Sequence, residues 1–206
     1  MKRNDPQARL HRAATALDLP LREAETRRLL SLEELLRRRA IPMGLVAEGD
    51  DASVLERHII DSLRAAAIVD PDDGAAMDLG SGAGLPGLVV AVARPSLRVR
   101  LIEPKRRRVA FLELAIEHLA LGNVDVLQIR AEEASGRVDL CFARALAPLA
   151  RSWALARPLL RPGGRLIYFS GPVAEPPPVP PDGGAIELVE SRWVDSSGPL
   201  VMITRP

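Results

Sequence analysis

Apolar residues follow two rhythms along this chain, and the change comes at Gly74. Upstream of it, Leu21, Leu29, Leu32, Leu35 and Leu36 recur at helical spacing with charged residues between them. Residues 7–39 therefore predict two amphipathic helices, parted by Pro20 and stopped by Pro42. Residues 51–69 predict a third, with Asp50 or Asp51 as its N-cap and the turn Pro71-Asp72-Asp73-Gly74 as its end. Downstream, short apolar runs alternate with helical ones. Ala75–Leu79, Leu97–Ile102, Val124–Ile129, Val138–Phe142 and Arg165–Phe169 predict strands. Leu85–Ala93 (with Pro86 in its first turn), Lys105–Leu119 and Pro148–Leu160 predict the helices between them. The run E-P-P-P-V-P-P-D-G-G then leads to two last strands, Ala185–Trp193 and Leu200–Thr204. Strands alternating with helices imply βαβ units and an α/β, mostly parallel sheet. The expected organisation is a helical extension over residues 1–70, packed on a Rossmann-like domain over residues 71–206.

Composition narrows the class. With 206 residues and 47% hydrophobic content the chain can bury a core. No apolar run approaches the ~20 residues that span a bilayer. The start, M-K-R-N-D-P-Q-A-R-L-H-R, lacks the apolar stretch of an export signal, so a cytoplasmic location is expected. A single cysteine, Cys141, excludes an internal disulfide and a cysteine-based zinc site. His11 and His118 have no ligand spacing with His58, so no metal is expected. No heptad seam appears, and a monomer is expected. The net charge of +1 predicts no partner by itself. Its make-up adds something: only Lys2 and Lys105 are lysine, and every other cation is an arginine fork suited to phosphate and carboxylate. Aromatic content of 3% leaves too few rings for a broad base-stacking platform.

The chemistry concentrates in D-L-G-S-G-A-G-L-P-G, Asp78 to Gly87, which ends the first predicted strand and opens the next helix. That is the context of a nucleotide loop, where glycines permit tight turns and close backbone approach. Gly82, Gly84 and Gly87 match the spacing of a dinucleotide fingerprint, and Gly80 precedes them. Both NAD and S-adenosylmethionine bind such loops. Asp78 favours the second, because an acid at the strand end suits a cationic sulfonium donor and repels a pyrophosphate. Glu103, closing the second strand, can accept both ribose hydroxyls of either cofactor. R-A-E-E, Arg130 to Glu133, follows the third strand at the place for an adenine. Arg144, in F-A-R-A after the fourth strand, can meet a methionine carboxylate or an RNA phosphate.

Taken together, R-H-I-I-D-S-L (Arg57–Leu63), D-L-G-S-G-A-G-L-P-G-L, the strand ending in an acid, R-A-E-E and A-R-A-L-A-P-L closely resemble the RsmG/GidB family. These are bacterial 16S ribosomal RNA (guanine-N7) methyltransferases, and the resemblance runs from about Leu29 to Phe169. It implies a class I S-adenosylmethionine-dependent methyltransferase fold with a seven-stranded sheet and N-terminal helices. It implies methyl transfer to N7 of a guanine in the 530-loop region, with 16S ribosomal RNA or the small ribosomal subunit as partner. By the same resemblance Gly80, Leu85, Ala131, Glu132 and Arg144 are cofactor contacts.

Arg57, His58, Asp61 and Ser62, with Arg144, are candidates to line the pocket. Arg57 and Asp61 are spaced for an i,i+4 pair, and His58 and Ser62 for one helix face. Lys105, Arg106, Arg107 and Arg108 open a helix where cations oppose the macrodipole, which marks them as candidates for RNA phosphate. Two segments depart from the family pattern: Gly44, Leu45 and Val46 stand where it carries N-L-T, and Ser170-Gly171 where it carries K-G. The absence of an acid/base dyad agrees with the chemistry, since guanine N7 attacks with a lone pair and loses no proton. An NAD-dependent oxidoreductase, a small-molecule methyltransferase and a ribosome-associated binding protein without turnover are the alternatives.

Overall fold

The computed structural model describes residues 5–47, 49, 53–171, 184–190 and 198–206. Helix α1 (Pro6–Ala16) starts where Asp5 accepts the Gln7 N–H at 3.1 Å and Pro6 fills a position needing no donor. Helix α2 (Glu23–Leu35) starts where Glu25 accepts the Arg22 N–H at 2.7 Å, and a π-helical stretch, Leu36–Ala40, continues it. The third predicted helix also begins wide, as π turns over Leu55–Ile60 followed by α3 (Asp61–Ala67). Its expected caps, Asp50 and Asp51, lie outside the described residues.

The α/β part follows as β1 (Ala75–Leu79), α4 (Gly87–Ala93), β2 (Arg98–Ile102), α5 (Arg106–Leu119), β3 (Val124–Leu127), β4 (Val138–Arg144), α6 (Leu149–Ala156), β5 (Leu160–Phe169), β6 (Ala185–Val189) and β7 (Leu200–Thr204). The seven strands stand in the order β3-β2-β1-β4-β5-β7-β6. Neighbours from β3 to β5 run parallel, and β7 is antiparallel to both β5 and β6. Strand order reverses between β1 and β4, so the carboxyl ends of these two strands flank the crevice where open α/β sheets bind ligands.

Several predicted boundaries move: β3 ends at Leu127 instead of Ile129, and β4 runs on past Phe142 to Arg144. Pro86 caps α4 instead of sitting in its first turn, after a cis Leu85–Pro86 bond. The helix predicted to reach Leu160 ends at Ala156, because Pro158 lacks a donor and the chain tightens into a 3-10 turn, Arg157–Leu159. Strand β5 starts five residues early, and Pro162-Gly163-Gly164 form an irregularity in its pairing with β4. The proline run before Gly184 falls outside the described residues, and the strand predicted to reach Trp193 ends at Val189, with Glu190 already out of it.

Apolar side chains cover both sheet faces. On one, Leu10, Leu29 and Leu32 of the first two helices join Leu88, Leu112 and Phe142 in a continuous buried core. On the other, Trp153 of α6 packs with Met77, Cys141 and Leu166. The N-terminal helices thus share the core of the sheet. Among the described residues no helix is long and apolar enough to cross a membrane.

Candidate functional site

The glycine loop turns at the carboxyl end of β1. Its first two amides, Gly80 N–H and Ser81 N–H, both donate to the Ile102 carbonyl of β2, at 2.9 and 3.0 Å. Gly80 and Gly84 have φ of +70° and +84°, a conformation that penalises any Cβ. Contact reinforces this: a Cβ at Gly80 would lie 2.7 Å from Leu146 Cδ1, and one at Gly84 would lie 2.3 Å from Leu88 Cδ1. The loop is therefore closed on one side by Leu146 and on the other by helix α4.

Two carboxylates hold the loop from beneath. Glu103, 1% exposed, accepts Gly82 N–H on Oε2 and Lys105 N–H on Oε1, each at 3.0 Å. Oε2 also takes Arg108 Nη1 at 3.4 Å, so Oε1 is the oxygen that keeps a lone pair for a further donor. Asp78, expected along the approach to the cofactor, is instead buried at 1% exposure and accepts the Gly87 N–H at 3.1 Å. Burial pushes its carboxyl up to about 7, against the opposing pull of Gly87, Ser81 and Arg144, while Glu103 adds to the rise.

Beside the loop opens a cleft of about 220 Å³, lined by Gly80, Pro104, Arg130, Ala131, Glu132, Leu146, Ala147, Arg151 and Leu155. The expected residues Gly80, Ala131 and Glu132 thus meet in one place. Leu146, Pro104 and Leu155 supply its apolar walls; Leu146 belongs to A-R-A-L-A-P-L, whereas no motif marks Leu155. Arg151 pairs with Glu132 at 3.2 Å.

Arg144 closes the other flank. Its Nη2 donates to the Arg57 carbonyl at 2.5 Å and meets Asp61 Oδ2 at 3.1 Å. Its Nη1 donates to Ser62 Oγ at 3.2 Å, and its guanidinium lies 5.3 Å from the centre of the Phe169 ring. Burial lowers its pKa from the ordinary value, against the pull of Asp61 and Asp78. Asp61, expected to pair with Arg57, gives its other oxygen to Arg64 at 2.8 Å. His58 stays half-buried on the π turns. So the R-H-x-x-D-S segment and the end of β4, remote in sequence, form one polar cluster at the crevice. The neighbouring Ala145 has φ of +53°, a strained value for a residue with a Cβ.

The basic run divides. Lys105, Arg106 and Arg107 are exposed, whereas Arg108 turns inward to Glu103 at 3.4 Å. Arg108 thus shares its charge with that internal acid. Leu85 precedes the cis proline at the end of the loop. At the first departure from the family pattern, Gly44 takes φ of +65° where the chain leaves the π turns, and Val46 enters the core. At the second, the Ser170 hydroxyl donates to the Pro199 carbonyl. Among the described residues no cluster of histidine, cysteine or acidic groups could hold a metal ion.

Comparison with known proteins gives the architecture a family. The family described as GidB, rRNA small subunit methyltransferase G, matches residues 25–176. The chain belongs to the rRNA small subunit methyltransferase G family. Relatives of that name include one from Clavibacter michiganensis subsp. michiganensis, 43% identical over 142 residues, and one from Thermobifida fusca, 43% identical over 144. These alignments cover 68% and 69% of this chain. They span 66% and 60% of the relatives' own lengths, about two thirds or less. A SAM dependent methyltransferase from Aquifex aeolicus has the same fold, with a TM-score of 0.59 at 19% identity over 80% of this chain and 98% of that one. The GidB match encloses the loop, Glu103, the cleft and Arg144, so the site geometry lies inside the part of the chain that carries the family likeness.

Proposed function

We propose that this chain transfers a methyl group from S-adenosylmethionine to N7 of a guanine in 16S ribosomal RNA of the small subunit. The observation that carries the reading is the convergence of the glycine loop, Glu103 and the cleft at Ala131–Glu132 on the switch point of the sheet, within the matched family region. The residues present suit such a cofactor. Glu103 retains acceptor capacity on Oε1 for a ribose hydroxyl, and Leu146, Pro104 and Ala131 offer apolar surface to a purine. Bound there, S-adenosylmethionine supplies an electrophilic methyl group.

The protein's own contribution is alignment. Guanine N7 presents a lone pair and releases no proton, so no general base is needed and none is assigned. Arg144 offers a fixed positive charge to the methionine carboxylate, and Asp78 stiffens the loop through Gly87. Lys105, Arg106 and Arg107, exposed beside the cleft, are the proposed phosphate contacts. The chain is proposed to act as a monomer in the cytoplasm. The test is transfer of labelled methyl from S-adenosylmethionine to small subunits and to naked 16S RNA from cells lacking the modification, followed by cleavage at 7-methylguanosine. Label without N7 cleavage would move the reading to another base. Titration calorimetry that shows binding of NAD and none of S-adenosylmethionine would overturn it.

A further inference from the structure

Asp61 is almost fully buried, at 5% exposure, and sits between two arginines. One oxygen meets Arg64 Nη1 at 2.8 Å and the other meets Arg144 Nη2 at 3.1 Å. Arg64 is itself 3% exposed, and its Nη2 donates to the Gly198 carbonyl at 2.9 Å, just ahead of β7. Ser62, 0% exposed, accepts from Arg144 Nη1 on the opposite edge of the same guanidinium. A buried ionic row therefore runs from β7 through α3 to the end of β4.

Such a row is a poor device for stability alone. Desolvating three charges is costly, and well-packed apolar residues of similar size would serve the core as well or better. What the row achieves is orientation. Arg144 stands at the carboxyl end of β4 with a side chain still 20% exposed, held by Asp61, Ser62 and the Arg57 carbonyl. Its Nη2 has both protons engaged, while Nε and one Nη1 proton have no partner among the described residues. The guanidinium is thus fixed through both Nη groups and keeps single donors, on Nε and Nη1, for a further acceptor.

We infer that Asp61, assisted by Ser62, is the positioning residue for Arg144, locking that cation where the carboxylate of the bound methyl donor reaches it. This rests on the reading of the crevice as an S-adenosylmethionine site. Without Asp61 the guanidinium loses its charged anchor and samples other rotamers, and the cofactor must order it on binding.

The test is a double-mutant cycle on S-adenosylmethionine affinity, by titration calorimetry, with thermal melting alongside. Asp61→Asn is expected to weaken binding about tenfold in the parent and less than about twofold in an Arg144→Ala background, because coupled residues do not add. Melting shifts, in contrast, should be of similar size in both backgrounds for the part that Asp61 contributes through Arg64. Ser62→Ala, a milder change, carries the same cycle if Asp61→Asn fails to fold, with an expected loss of about threefold that vanishes in the Arg144→Ala background. Equal losses in both backgrounds, or no loss in the parent, would overturn the positioning role. Failure of the unmodified protein to bind S-adenosylmethionine would instead remove the reading beneath it.

Discussion

Asp78 offers a test in which stability and chemistry pull apart. Its carboxyl is raised to about 7 from an ordinary value of 3.8, chiefly by burial. The folded pKa lies above the unfolded one. Between these values the folded protein keeps a proton that the unfolded chain has released, so stability falls as pH rises through this window. A shift from 3.8 to about 7 corresponds to about 4 kcal/mol lost once the pH exceeds the upper value. Asp78→Asn removes the charge but keeps an oxygen for the Gly87 N–H. The variant should therefore match the parent near pH 4 and gain on it with rising pH, by roughly 2.5 kcal/mol between about pH 5 and about pH 8. Urea denaturation of both proteins across this range, read as the difference between them, cancels every other titrating group. A difference that is flat with pH, or that favours the parent increasingly as pH rises, would refute the burial argument. Above about pH 7, where the parent carboxylate is charged, the gain should come with weaker S-adenosylmethionine binding, because the variant sets no negative charge near Arg144.

Three further outcomes follow from the same geometry. Gly84→Ala forces a Cβ into the left-handed region and against Leu88, so it should cost about 2–4 kcal/mol in urea denaturation, and Leu88→Ala should cost less in that background than in the parent. Glu103→Gln turns an amide nitrogen toward either the Gly82 or the Lys105 N–H, and should lose about 1–3 kcal/mol of stability, with S-adenosylmethionine binding by calorimetry reduced as well. Arg106→Ala with Arg107→Ala should leave cofactor affinity unchanged and weaken binding to small subunits, lowering the slope of log affinity against log salt by about 1–2 in a filter-binding series.

Much of the scaffold is written locally. The leucine spacing of α2, the strand–helix alternation after Gly74 and the glycine density after Asp78 each act through nearest neighbours, and the chain obeys them. Boundaries move where a backbone constraint meets a longer pattern. Pro158 interrupts a run that hydrophobic spacing alone carries on to Leu160. The π turns before α3 are invisible to a 3.6-residue period, and they fall where the R-H-x-x-D-S segment needs its side chains re-aimed. A wider turn shifts which residues share a face, so spacing rules for Arg57, His58, Asp61 and Ser62 lose their footing there.

The site divides in the same way. Glu103 and Asp78 are visible as acids at strand ends, because a parallel sheet must bring those ends to one edge. What they do there is not visible, since it depends on the depth at which each side chain is buried. Asp78 faces inward to a backbone amide and Glu103 bridges two of them, roles that only three-dimensional packing assigns. Arg64 shows the limit most sharply. In D-S-L-R-A-A-A it reads as one more exposed arginine, yet it is 3% exposed and bonded to a carbonyl 134 residues away. The partners that fix Arg144 are likewise remote: the charge comes from Asp61, and the neighbouring hydroxyl of Ser62 lies 82 residues earlier. A bend that glycine makes possible is legible because conformational freedom belongs to one residue. An ionic row that orients a cation is not: Asp61, Ser62 and Arg144 can be named as candidates, but how they pair, and that Arg64 joins them, appears only when the sheet order sets them side by side. The electrostatics of this crevice are therefore a property of the topology, and a variant at Arg64, which spares every motif but breaks the row, should still loosen Arg144.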